Sequence, residues 1–124
     1  MNIPTEAQEQ TTLFQWAALM THRWPELRTM YHIPNGGSRN AIEAARLKAQ
    51  GVKAGIPDIF LPCARGSWHG LYIEMKRRKG GRVSDEQRDM IRLLIEQGYK
   101  AVVCYGWEEA KTVIVEYMKD AATV

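Results

Sequence analysis

The chain has 124 residues, 45% of them hydrophobic and 25% charged, and 17 Lys and Arg against 14 Asp and Glu give a net charge of +3. That length and composition suit one soluble globular domain, expected over residues 1–124 with its core at about 5–119. No apolar run reaches the roughly 20 residues of a membrane span, no signal peptide is readable at the N-terminus, and Cys63 and Cys104 have neither disulfide-framework nor zinc-site spacing, so a cytoplasmic protein is expected.

In chain order, residues 5–21 read as a helix, with Thr5 as N-cap and Leu13, Trp16, Ala17 and Met20 on one face. Trp24-Pro25 ends that segment, and residues 28–33 read as a short strand. Residues 34–38 read as a turn, and 40–50 as a second helix stopped by Gly51. Residues 58–61 and 71–76 read as two strands, 84–97 as a helix, 100–105 as a strand and 107–119 as the last helix. This order predicts an α/β fold, a small mixed sheet flanked by helices, in the restriction-endonuclease-like class.

Alternation in residues 71–76 puts Tyr72, Glu74 and Lys76 on one face and Leu71, Ile73 and Met75 on the other, apolar face. Asp58 and Phe60 share a face of the preceding strand. A hairpin symmetric about Gly66 sets Leu61 against Leu71 and Asp58 against Glu74, with Cβ atoms about 5 Å apart. Two carboxylates that close repel one another, and burial makes the repulsion worse. A hard divalent cation relieves it, and Lys76 reaches the same spot. One metal, two carboxylates and an ammonium suit metal-assisted phosphodiester hydrolysis. Taken alone, Glu-x-Lys is a weak motif, common on exposed strands; apolar surroundings and Pro57 ahead of Asp58 give it weight.

The segments Gly55-Ile56-Pro57-Asp58-Ile59, Ile73-Glu74-Met75-Lys76 and Ser84-x-x-Gln87 together resemble the virus-type replication–repair nuclease domain (VRR-NUC) of the PD-(D/E)XK superfamily. The likeness runs from Glu6 to about Tyr117 and includes Gly98-Tyr99 and Trp107-Glu108-Glu109-Ala110. It implies a Mg²⁺- or Mn²⁺-dependent DNA endonuclease. Asp58, Glu74 and the Met75 carbonyl would bind metal, and Lys76 would be the catalytic lysine. Stand-alone domains of this length, as in phages, look like homodimers that act on branched DNA such as Holliday junctions. No organic cofactor and no membrane are implied.

Three further features bear on the site. Ser84 and Gln87 have capping-box spacing, yet Gln87 also lies on the stripe of Ile91 and Leu94, so both a cap and a site role are open to it. In the first helix Glu6 stands four residues before Gln10, the family's spacing, and is the expected site glutamate; Glu9 is the fallback, and either could simply satisfy the helix dipole. Arg77, Arg78, Lys79 and Arg82, just beyond Lys76, are expected to hold DNA phosphates, and Arg39 beside the turn is a further candidate. His32 and His69 read as surface or satisfied histidines. Two rival functions remain: a DNA-binding module without catalysis, and a sequence-specific restriction-type nuclease, for which the chain has no large base-reading insertion.

Overall fold

The computed structural model describes residues 2–34 and 40–120. Thr5 starts helix α1 (Glu6–Leu19) with a capping box, its hydroxyl accepting from the Gln8 N–H while the Gln8 side chain accepts from the Thr5 N–H. The helix stops at Leu19, two residues short of expectation. Leu13 and Ala17 lie four apart on its buried stripe.

The strand expected at 28–33 is a misreading. Residues Pro25–Thr29 form a 3-10 helix, and only Tyr31–His32 is extended, as strand β1. Pro25 occupies the first turn, where its fixed φ suits a helix and its missing N–H goes unneeded. Of the turn expected at 34–38, all but Pro34 lies outside the described residues, as does Arg39. Asn40 caps helix α2 (Ala41–Ala49) by accepting from the Glu43 N–H.

Strands β2 (Ile59–Leu61), β3 (Leu71–Lys76) and β4 (Lys100–Tyr105) complete a sheet of order β1-β2-β3-β4, antiparallel except for the parallel β3–β4 pair. Helix α3 (Asp85–Glu96) makes the crossover that this parallel pair requires, and α4 (Trp107–Lys119) follows β4. Leu71, Ile73 and Met75 turn to one face, with Ile59, Leu61 and Cys104. There they meet Leu13 and Ala17 of α1 and Ala110, Ile114 and Tyr117 of α4 in one buried cluster. Each fully buried Leu or Ile contributes roughly 1.5–3 kcal/mol of transfer free energy. The opposite face of β2 and β3 carries Phe60, Tyr72, Glu74 and Lys76, and α3 reaches it through Gln87. The sheet therefore lies between helices, as the element order implied. Both cysteines are free and buried, and among the described residues no helix is long and apolar enough to cross a membrane.

Candidate active site

The β2–β3 register has Leu61 opposite Leu71 and Ile59 opposite Ile73. One step further along the same pairing, Asp58 comes beside Glu74, although Asp58 itself sits in the bend just before β2. Three contacts hold it there. Its side-chain Oδ2 accepts from the Met75 N–H at 2.8 Å. Its backbone carbonyl accepts from the Ile33 N–H at 2.7 Å and from His32 Nδ1 at 2.8 Å. Upstream, Gly55 has φ +86° and runs against the first turn of α3; a Cβ there would lie 2.5 Å from the Glu86 carbonyl oxygen. Only glycine lets this segment pass so close to the helix.

Glu74 is 2% exposed and Lys76 is 8% exposed. Glu74 Oε2 accepts from Gln87 Nε2 at 3.1 Å and lies 3.6 Å from Lys76 Nζ. Gln87 performs both duties open to it: its Oε1 accepts from the Ser84 N–H at 2.9 Å and closes the capping box, while its Nε2 faces the sheet. Glu74 Oε1 has no hydrogen-bond partner although it is buried. Burial pushes the Glu74 carboxyl up, the neighbouring Asp58 pushes it further, Lys76 offsets part of this, and Glu6 adds a smaller increment. The result is a value of about 8 against an ordinary 4.5.

An orphaned buried oxygen, with a second carboxylate beside it, is what a hard cation would satisfy. The Met75 N–H points at Asp58, and in a strand a residue's carbonyl points to the same edge as its N–H. The donors are thus all oxygens, which fits Mg²⁺ or Mn²⁺ rather than zinc. Among the described residues no cluster of three or more His, Cys, Asp or Glu is assembled. Magnesium does not demand one, since it keeps waters and takes one or two carboxylates.

The other expected site residues are placed unevenly. Glu6 is exposed at the start of α1, yet close enough to contribute to the field at Glu74. Glu9, the fallback, is engaged elsewhere. It is 1% exposed, accepts from Arg78 Nε at 2.7 Å and from the Trp107 N–H at 3.3 Å, and ties α1 to the end of β3 and the start of α4. Burial raises its carboxyl, but Arg78 and the Trp107 amide outweigh that and hold it below the ordinary value. Arg78 also pairs with Glu108 at 3.0 Å, so two carboxylates occupy its guanidinium. Arg77, Lys79 and Arg82 are exposed and make no ion pair among the described residues. Their loop folds back on the site; a Cβ on Gly81 would lie 3.0 Å from Lys76 Cβ.

Two contributions escaped the sequence reading. One is the Glu9–Arg78 clip, whose signal was there: Glu9, Leu13 and Ala17 share the stripe that becomes buried, and a charge on such a stripe needs a partner. The other is the tether from His32 and Ile33 to the Asp58 carbonyl. Only the β1–β2 pairing creates it, so no local pattern announced it.

The family model for the VRR-NUC domain matches residues 2–108. A solved structure described as a VRR_NUC domain protein has 33% sequence identity and a TM-score of 0.84, over 98% of this chain and 94% of that one. No curated protein matches. The family match covers most of the sequence and the structural likeness nearly all of the chain, so the chain belongs to the VRR-NUC family of nuclease-type, DNA-processing domains.

Proposed function

We propose that this protein is a cytoplasmic, Mg²⁺- or Mn²⁺-dependent DNA endonuclease of one domain, cutting branched DNA such as Holliday junctions as a homodimer. The observation that carries the reading is the buried Glu74 carboxylate, beside Asp58, with one oxygen unpartnered and Lys76 at 3.6 Å. Asp58, Glu74 and the Met75 carbonyl would hold the ion, which supplies Lewis acidity and charge neutralisation at the scissile phosphate.

The chain's own groups do the rest. Lys76, nearly buried, offers an ammonium to the charge that develops on the phosphate and orients the attacking water. Gln87 fixes Oε2 of Glu74 and leaves Oε1 for the ion. Glu6, at the rim, adds negative field that favours a divalent cation. Arg77, Lys79 and Arg82 are free to hold phosphates flanking the cut, whereas Arg78 serves the Glu9 clip first. A small chain acting on a two-fold branched substrate is served by a two-fold dimer with two sites.

The test is a cleavage panel of junction, flap, single strand and duplex, with and without Mg²⁺ or Mn²⁺, run beside Lys76→Ala and Asp58→Asn. The reading expects metal-dependent cutting that prefers branched substrates, and binding without cutting for Lys76→Ala. Cutting that persists in both variants would overturn it. A lone monomer at concentrations where it cuts would overturn the dimer.

A further inference from the structure

The sheet face that carries Asp58, Glu74 and Lys76 continues past the carboxylates. Two residues from Asp58 along the chain, and two from Glu74, the same pleat presents Phe60 and Tyr72, which are cross-strand partners. Their rings stack with centroids 4.3 Å apart and planes 21° from parallel. Tyr31, paired with Phe60 from β1, sets its edge against that ring at 6.0 Å and 89°. Tyr99, just before β4, meets Phe60 at 5.9 Å and Tyr72 at 5.4 Å, both edge-on. Four aromatic rings thus form a ladder across three strands. Gly70 makes room for it, since a Cβ there would lie 2.9 Å from the Phe60 ring.

A cluster whose only task was to stabilise the sheet would gain most from being covered. This one is covered only in part, and its Tyr31 end is open. None of the four rings is fully buried, and Tyr31 is 51% exposed.

We propose that this ladder binds an unpaired nucleobase of the DNA strand, beside the bond that the carboxylates and Lys76 would cut. The inference rests on the nuclease reading above and gives it a reason to prefer branched DNA. Along β3, Tyr72 and Glu74 are about 6.6 Å apart, a separation on the scale of one step of an unstacked strand. Every base has a π-face, so stacking on aromatic side chains tolerates any sequence. A continuous duplex keeps its bases inside and offers the ladder nothing; a branch point offers an unstacked base. The basic residues Arg77, Lys79 and Arg82 lie beyond the opposite end of β3, next to Lys76. A strand laid along β3 would therefore meet aromatic rings on one side of the cut and positive charge on the other. That charge complementarity favours DNA over a second copy of the chain as occupant.

The experiment uses the full chain carrying Lys76→Ala, with a flap and a duplex of the same sequence, each holding 2-aminopurine at the nucleotide beside the branch position. Expected are quenching of the probe in the flap only, and flap binding weakened roughly tenfold by Tyr31→Ser or Tyr72→Leu. Duplex binding should not change, and Tyr31→Phe should bind like the parent. Tyr31 is half in water, so Tyr31→Ser should melt like the parent. Equal weakening on flap and duplex, or no quenching in the flap, would overturn the ladder while leaving the nuclease reading intact. So would a change of oligomeric state in Tyr31→Ser, since the occupant would then be another copy. Metal-dependent cutting absent from the unsubstituted chain would sink the nuclease reading itself, and the ladder with it.

Discussion

Glu9 and Glu74 are both glutamates buried almost completely, and they have opposite fates. Around Glu9 the fold supplies a guanidinium and a backbone N–H, and its carboxyl is held below the ordinary value. Around Glu74 it supplies an amide, a lysine at 3.6 Å and a second carboxylate, leaves one oxygen orphaned, and its carboxyl is pushed up to about 8. Burial alone does not mark a functional acid. The mark is burial with the compensation left incomplete, because such a carboxyl holds its proton until something else, such as a cation, completes it. By this criterion Glu9 is a clip between α1, β3 and α4, and Glu74 is the centre of the proposed site.

The largest effect that separates the two concerns cutting. Lys76→Ala, Asp58→Asn and Glu74→Gln are each expected to lower the cleavage rate by about 10²-fold or more, while none of them melts much below the parent. Glu9→Ala should do the reverse. It strips the Trp107 N–H of its acceptor and leaves Arg78 only Glu108, and should cost about 1–3 kcal/mol, the range for a donor left without its partner. Denaturant unfolding read beside single-turnover cleavage checks both. A Glu9→Ala chain that melts normally and fails to cut would erase the distinction.

A subtler difference lies in pH. The Glu74 carboxyl is raised, so between its ordinary 4.5 and about 8 the folded metal-free chain holds a proton that the unfolded chain has released. Stability must then fall as pH rises through that window, by up to about 1.4 kcal/mol per unit, and level off above it. Added Mg²⁺ should counter the fall at the alkaline end, where it binds the ionised carboxylate, and Glu74→Gln should flatten the profile. Glu9, held below its ordinary value, contributes stability that is present above 4.5 and fades as the solution is acidified. Melting curves from pH 2 to 9, with and without Mg²⁺, show whether the two opposite slopes exist.

The smallest expected effect separates the two duties of Gln87. Ser84→Ala removes one half of the cap and should cost about 1 kcal/mol with cutting unchanged. Gln87→Leu should cost a similar amount and also slow cutting about tenfold, as expected for losing one hydrogen bond of roughly 1 kcal/mol that orients Glu74. Equal cleavage by the two variants would reduce Gln87 to a cap.

Much of this arrangement was legible beforehand, and the reason is geometric. The pairing of Leu61 with Leu71 follows from alternation and hairpin symmetry, and it alone brings Asp58 to Glu74. Capping-box spacing foretold the start of α3. The rest depends on contacts between distant segments. Whether Glu6 or Glu9 faces the sheet turns on how α1 seats against α4, which helical periodicity leaves open. Residues 28–33 misled because Trp24-Pro25 was read only as the end of a helix, whereas Pro25 also starts a helical turn. Arg78 looked like its basic neighbours until Glu9 and Glu108 were seen to hold it.

The most direct test is a calorimetric titration of the metal-free protein with Mn²⁺. The account predicts one site per chain, lost in Asp58→Asn and in Glu74→Gln and retained in Lys76→Ala. Unchanged binding in both carboxylate variants would place the ion elsewhere and contradict the account.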